Sequence, residues 1–309
     1  MNIIFFGSSE FSIPVLSSLF SRHSIVQVVT TPEKKKGRGQ KRSGTVVKDF
    51  ALVHKLPLSE PDKLSDPKFV DQIQNLNPDF IIIASYGKLV PSSIFTLPKF
   101  APLNVHPSLL PRHRGASPIQ RAILEGDQKT GVSIAEITKD LDAGDLFAHI
   151  ETPVNLNENA SQLSRRLSNM AAGLLLELIE KLKTGSSKKT PQDSSKATYA
   201  KKITKEEGRI DWNKPNLIIH NQVRAYDPWP GAYALFQDKR LKILKTELLQ
   251  KTEENRTPGL ITAIDRQGIA VQTQSNQIQL KRVQLEGRKE VGAYEFAIGQ
   301  RLKIKDHFQ

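Results

Sequence analysis

Across residues 1–84 the chain alternates short, unbroken apolar runs with longer stretches whose apolar residues recur every three or four positions, and few architectures accommodate that pattern. Residues 2–6 (NIIFF) end in Gly7-Ser8-Ser9, after which Phe11, Ile13, Val15, Leu16 and Leu19 fall at mostly helical spacing, a strand, turn and helix in succession. Residues 25–29 read as a second strand, 45–56 and 69–73 as helices, and 80–84 (FIIIA) as a strand covered on both faces. Strands separated by helices pair in parallel, so the expected fold is α/β, a doubly wound, mostly parallel sheet. Two alternating stretches within residues 130–154, broken by the polar residues 139–144, predict a hairpin. Residues 159–183 predict a long helix, amphipathic around Leu163, Leu167, Met170, Leu174 and Leu178 and ended by Gly185.

Residues 184–198 (TGSSKKTPQDSSKAT) have the composition of an exposed linker, which divides the chain into a domain over 1–183, a linker over 184–204 and a second domain over 205–309. The second domain has a helical segment at 217–226 and then short β-rich runs at 232–236, 241–249, 269–273 and 278–283, the pattern of a small β-barrel of the oligonucleotide-binding type. Composition narrows the class further. The chain has no cysteine, which removes disulfides, a thiolate nucleophile and sulfur-based zinc sites. Its start carries Glu10 and lacks a basic leader, and no apolar run reaches the roughly 18 residues of a membrane helix, so a soluble cytoplasmic protein is expected. A net charge of +13 favours polyanionic partners, nucleic acid first.

Chemistry is concentrated in a few places. Asn104-Val105-His106-Pro107 closes an apolar stretch, and strand alternation puts Asn104 and His106 on one face where Pro107 stops the ladder. An amide donor and an imidazole at a strand's carboxyl end are what acyl transfer requires, one to hold an oxyanion and one to hold it or move a proton. The same spacing also fits a structural histidine beside an asparagine in a turn. Ser108 to Gly115 (SLLPRHRG) follows as an irregular, exposed loop forced out by its prolines and glycine. Leu141-Asp142-Ala143-Gly144-Asp145 places two carboxylates at the hairpin tip, and spacing alone does not choose between Asp142 and Asp145 or bring either to His106.

Residues 34–42 (KKKGRGQKR) form a glycine-punctuated loop with six cations after the second strand, suited to phosphate contacts. Gly7-Ser8-Ser9 lacks the GxGxxG fingerprint, which disfavours a nicotinamide enzyme and leaves the turn a structural role. Ala225-Tyr226-Asp227-Pro228-Trp229-Pro230-Gly231-Ala232 is a rigid aromatic turn in the second half, read as anchoring one domain on the other.

Taken together, Asn104, His106, the Ser108 to Gly115 signature and the Leu141 to Asp145 loop resemble the folate-dependent formyltransferases. Further motifs extend the resemblance over nearly the whole chain: Phe5-Phe6-Gly7-Ser8-Ser9-Glu10-Phe11, Gly37-Arg38-Gly39, Ser85-Tyr86-Gly87, Pro118-Ile119-Gln120-Arg121-Ala122 and Pro228-Trp229-Pro230-Gly231-Ala232. The nearer likeness is to the family members that formylate methionine carried on initiator tRNA.

The resemblance implies a Rossmann-like first domain that binds the co-substrate 10-formyltetrahydrofolate, and an OB-like open barrel that helps hold tRNA. It implies Asn104, His106 and Asp142 as catalytic residues, and selects Asp142 over Asp145. It further implies Ser108, Leu109, Leu110 and Pro111 as folate-binding, Lys36, Arg38, Lys41 and Arg42 as tRNA-binding, no metal, and action as a monomer. Pro107, His113 and the scarcity of prolines in the basic loop depart from the family pattern and bear on the folate pocket and loop stiffness. Small-molecule formyltransferases and formylfolate hydrolases resemble the first domain alone, and a non-catalytic RNA-binding module would have no use for Asn104, His106 and Asp142.

Overall fold

The computed structural model describes residues 1–36, 41–250 and 257–309, which divide into two compact units. The first comprises Met1–Pro118, Lys129–Pro153 and Ser164–Lys201. Its elements begin β1 (Asn2–Gly7), α1 (Ser12–Phe20), β2 (Ser24–Val29), β3 (Lys34–Lys36), β4 (Lys41–Ser43), α2 (Val46–Val53), β5 (Leu58–Ser59), α3 (Pro67–Asn75), β6 (Phe80–Ala84), α4 (Ser92–Phe95) and β7 (Ala101–His106). They continue through β8 (Arg114–Gly115), β9 (Lys129–Glu136), β10 (Leu146–Pro153), α6 (Ala160–Lys183, from Ser164 onward in this unit) and β11 (Tyr199–Ala200), while α5 (Pro118–Leu124) belongs from Ile119 onward to the second unit.

Seven strands form one sheet in the order β10-β9-β7-β6-β1-β2-β5. β5, β2, β1, β6 and β7 run parallel, and the β9–β10 hairpin adds antiparallel to β7. This is the mixed, mostly parallel, Rossmann-like sheet that the alternation of runs predicts. Ile3, Ile4, Phe5 and Phe6 are fully buried, as expected of a central strand with both faces covered. Side chains cap the starts of α2 and α3: Thr45 accepts from the Lys48 amide and Asp66 from that of Lys68. The chain leaves β1 for β2 and β5 on one side and returns to β6 and β7 on the other, so strand order reverses beside β1. Ligands in open α/β sheets sit at the carboxyl ends of strands near such a reversal.

Gly7-Ser8-Ser9 takes the structural role expected of it. The Ser8 amide donates to Ser85 O at 3.2 Å, Ser9 Oγ donates to Ser85 Oγ at 2.8 Å and Ser12 Oγ donates to Ala84 O at 2.6 Å, tying the end of β1 to the end of β6. The basic stretch differs from the expected open loop, since β3 and β4 pair antiparallel there, Lys36 opposite Lys41 and Lys35 opposite Arg42. Arg38 and the side chains of Lys36, Lys41 and Arg42 lie outside the described residues.

The second unit comprises Ile119–Gln128, Val154–Leu163 and Lys202–Gln309. Its elements are α7 (Asn216–Ala225), β12 (Ala232–Phe236), β13 (Lys239–Leu249), β14 (Ile261–Asp265), β15 (Gly268–Gln272), β16 (Gln277–Leu285), β17 (Val291–Gly292) and α8 (Ala293–Gln300). The sheet is antiparallel, β12-β13-β16-β15-β14 with β17 on β16, and among the described residues no ladder joins β12 to β14. It is thus an open, OB-like arrangement, with Trp212, Ile219, Ile243, Ile269, Leu280, Phe296 and Phe308 in one core. Among the described residues no helix is long and apolar enough to cross a membrane.

Candidate active site

The residues singled out at the end of β7 converge on one carboxylate. Asn104 Nδ2 donates to Asp142 Oδ1 at 2.8 Å, the Gly115 amide donates to Asp142 Oδ2 at 2.8 Å, and His106 Nδ1 lies 3.7 Å from Asp142 Oδ2. Strand alternation brings Asn104 and His106 to the same side, and the loop between β9 and β10 brings Asp142 across to them. The aspartate has φ of +52°, a left-handed conformation that Asp tolerates better than most residues because its short side chain can bond locally. Two residues on, a Cβ at Gly144 would stand 2.0 Å from Glu136 O, so only glycine lets the loop close on β9. Asp145, the other candidate, points away: its Oδ2 is 3.9 Å from Lys189 Nζ, which also bonds Glu136 at 2.7 Å and is held above the usual lysine range mainly by that glutamate.

His106 is buried, and its Nε2 lies 2.9 Å from His113 O. A carbonyl only accepts, so Nε2 carries hydrogen, and Nδ1 is the nitrogen that faces Asp142. The Nδ1 atom can donate toward a reacting oxygen only when the ring carries both protons. Asn104 has two amide hydrogens, and with one given to Asp142 the second remains for a ligand.

A cavity of about 310 Å³ opens beside this constellation, lined by Asn104 and Asp142, by Ile83 and residues 88–92, and by residues 136–141. Val90 and Phe95 supply its apolar inner wall, continuous with a buried cluster around Phe6 and Tyr86. Burial pushes the Tyr86 hydroxyl up to about 12, so it stays neutral. On the rim, Lys88 Nζ donates to Pro61 O and Asp62 O, both at 3.2 Å. Leu89 and Leu141 stand exposed at the mouth, 76% and 51% accessible.

Ser108, Leu109, Leu110 and Pro111 do not line this cavity. Nor is the segment the exposed loop its prolines suggest, for Ser108, Leu110, His113 and Arg114 are all buried. Several of its polar groups find partners inside: Ser133 Oγ donates to Ser108 O and accepts from the Leu110 amide, and Ser108 Oγ donates to Arg112 O. Residues 114–115 then form β8, which pairs with β11 from the stretch whose composition marks a linker. Residues 88–92 and 136–141 carry no sequence signal that separates cavity walls from ordinary turns. Gln192, which bonds to Asp142 and Gly144, lies between Pro191 and Asp193 in a polar stretch and is equally silent.

The residues are those of a known group of enzymes. Residues 1–179 match the formyl transferase family model and residues 202–301 the model of the formyl transferase C-terminal domain. The methionyl-tRNA formyltransferase of Sulfurihydrogenibium sp. is 40% identical over 312 residues, covering 100% of both chains. The chain belongs to the methionyl-tRNA formyltransferase family. Membership makes it an enzyme of the formyl-transferring type. The methionyl-tRNA formyltransferase of Thermodesulfovibrio yellowstonii is 41% identical over 301 residues, covering 97% of this chain and 96% of the relative. Among solved structures, HypX from Aquifex aeolicus in complex with tetrahydrofolic acid shares the fold, with a TM-score of 0.67 and 19% identity over 99% of this chain and 48% of its own. WlaRD, a sugar 3N-formyl transferase crystallised with dTDP and 5-N-formyl-THF, matches at a TM-score of 0.67 and 16% identity over 94% of this chain and 99% of its own, so the fold of a small-molecule formyltransferase is shared beyond the first domain, contrary to the expectation from sequence.

Proposed function

We propose that the protein transfers the formyl group of 10-formyltetrahydrofolate to the α-amino group of methionine on initiator tRNA, in the cytoplasm and as a monomer. The observation that carries the reading is the meeting of Asn104, His106 and Asp142 beside a largely apolar cavity at the end of β7. Full-length relatives named for methionyl-tRNA support the acceptor, and two structural neighbours solved with folates support the donor. The cavity suits a flat, ring-bearing donor, with an apolar wall from Ile83, Val90, Phe95 and Ile137 and polar groups that include Asn104 and Asp142 beside His106. Ser108, Leu109, Leu110 and Pro111 serve folate binding from behind, by holding the loop whose His113 carbonyl orients His106.

The chemistry is one substitution at the formyl carbon. A new bond forms to the methionine nitrogen, the bond to the folate N10 breaks, the amine gives up a proton and N10 takes one. The free hydrogen of Asn104 Nδ2 holds the oxygen on which charge develops, and protonated His106 gives it a second donor at Nδ1. Asp142 orients both donors and positions the acceptor of the amine's proton. No covalent bond to the protein is required.

The deciding assay supplies 10-formyltetrahydrofolate with methionyl initiator tRNA in one vessel and methionyl elongator tRNA in another. Transfer to the initiator alone is the expected result, and no consumption of the donor in either would refute the reading. We assign the second unit and the cations Lys36, Arg38, Lys41 and Arg42 to tRNA. Replacing Arg38 with alanine is expected to raise the KM for tRNA and reduce the slope of its logarithm against log salt by about 1, leaving the KM for folate unchanged. An equal rise in both KM values would contradict that division.

A further inference from the structure

Residues 190–200 leave the end of α6 and run along the loops that carry the site. Thr190 and Leu146 exchange both backbone hydrogen bonds, at 2.8 and 2.9 Å. Thr198 Oγ1 accepts from the His113 amide at 2.9 Å and Thr198 O from the Arg114 amide at 2.8 Å. Between them stands Gln192. Its Nε2 donates to Asp142 O at 2.9 Å and Gly144 O at 2.6 Å, and its Oε1 accepts from Arg114 Nη2 at 2.8 Å and Nε at 3.2 Å. The guanidinium it meets is buried.

This use of one amide is chemically restrictive. The two carbonyls need two donors, and the guanidinium needs an acceptor presented to its forked edge. Glutamate offers only acceptors and lysine only donors, whereas a primary amide serves both sides at once. The residue held is the left-handed Asp142, whose backbone conformation its own sequence favours only weakly.

We propose that Gln192 is a positioning residue for formyl transfer. By linking buried Arg114 to the backbone of Asp142 and Gly144, it sets where the Asp142 carboxylate meets Asn104 and His106. The proposal rests on the reading of Asp142 as part of the catalytic group.

The test compares Gln192→Glu with the parent and with Asp142→Asn in full-length protein. Gln192→Glu keeps the acceptor for Arg114 and loses both donors to the loop. The expected result is a fall in kcat of about 100-fold, the effect of displacing a working group by about 1 Å. Both KM values and the melting temperature should stay near those of the parent, while the amide hydrogens of Ala143, Gly144 and Asp145 exchange faster. Turnover close to the parent's, or unchanged exchange at those amides, would overturn the proposal. Should the glutamate variant fail to fold, Gln192→Met, of similar length and uncharged, reads the same quantities. A slow Asp142→Asn beside a fast Gln192→Glu removes the proposal alone; a fast Asp142→Asn removes the reading of Asp142 beneath it.

Discussion

Replacing Asn104 with alanine is expected to lower turnover by about 100-fold to 1,000-fold, the usual cost of deleting one donor to a developing oxyanion. Two effects act in the same direction. The variant loses the free Nδ2 hydrogen that faces the cavity, and it also removes the 2.8 Å bond that holds Asp142 Oδ1. The side chain is only partly buried and stands at the end of β7, so the ladder of that strand with β6 and β9 should survive. Single-turnover rates with saturating substrates, read beside a thermal melt, check both statements. Near-normal turnover in a folded protein would exclude Asn104 from the chemistry.

Asp142→Asn should be at least as damaging, about 100-fold to 10,000-fold in kcat, the range associated with groups that manage a proton in the transition state. The carboxylate accepts from two donors, Asn104 Nδ2 and the Gly115 amide, while facing His106. An amide of the same shape presents one acceptor and one donor. Whichever way it turns, an N–H is set against an N–H, and the negative charge opposite His106 is gone. The expected signature is a fall in kcat with folate affinity altered far less. Turnover near the parent's in a folded variant would sink the assignment of Asp142.

Much of this site is legible in the sequence, for reasons that follow from periodicity. Residues 80–84 and 232–236 are strands with the bounds their apolar patterns give, and Asn104 and His106 share a face because a strand alternates with period two. Asp142 is different in kind: it reaches the pair across 38 positions of sequence, a separation no local pattern encodes. β14 and α8 escape notice because Ile261–Asp265 is short and half polar, while Ala293, Phe296 and Ala297 are the whole buried face of Ala293–Gln300. The Ser108 to Gly115 segment misleads because proline and glycine mark irregular backbone, not exposure, and its polar groups find partners in Ser133 and Thr198. Residues 190–200 mislead for the converse reason, being poor in apolar side chains and holding their place largely through hydrogen bonds.

That last feature bears on how the enzyme can be cut down or rebuilt. All seven strands of the first sheet, and Asn104, His106 and Asp142 with them, precede residue 184, so an excised fragment ending after α6 retains the scaffold and the three residues proposed for catalysis. It nonetheless lacks the stretch that grips Asp142, Gly144, His113 and Arg114. A transplant of the catalytic half onto another tRNA-binding partner therefore needs its seam at or beyond Lys201, and during synthesis the site is completed only after the ribosome has passed that point.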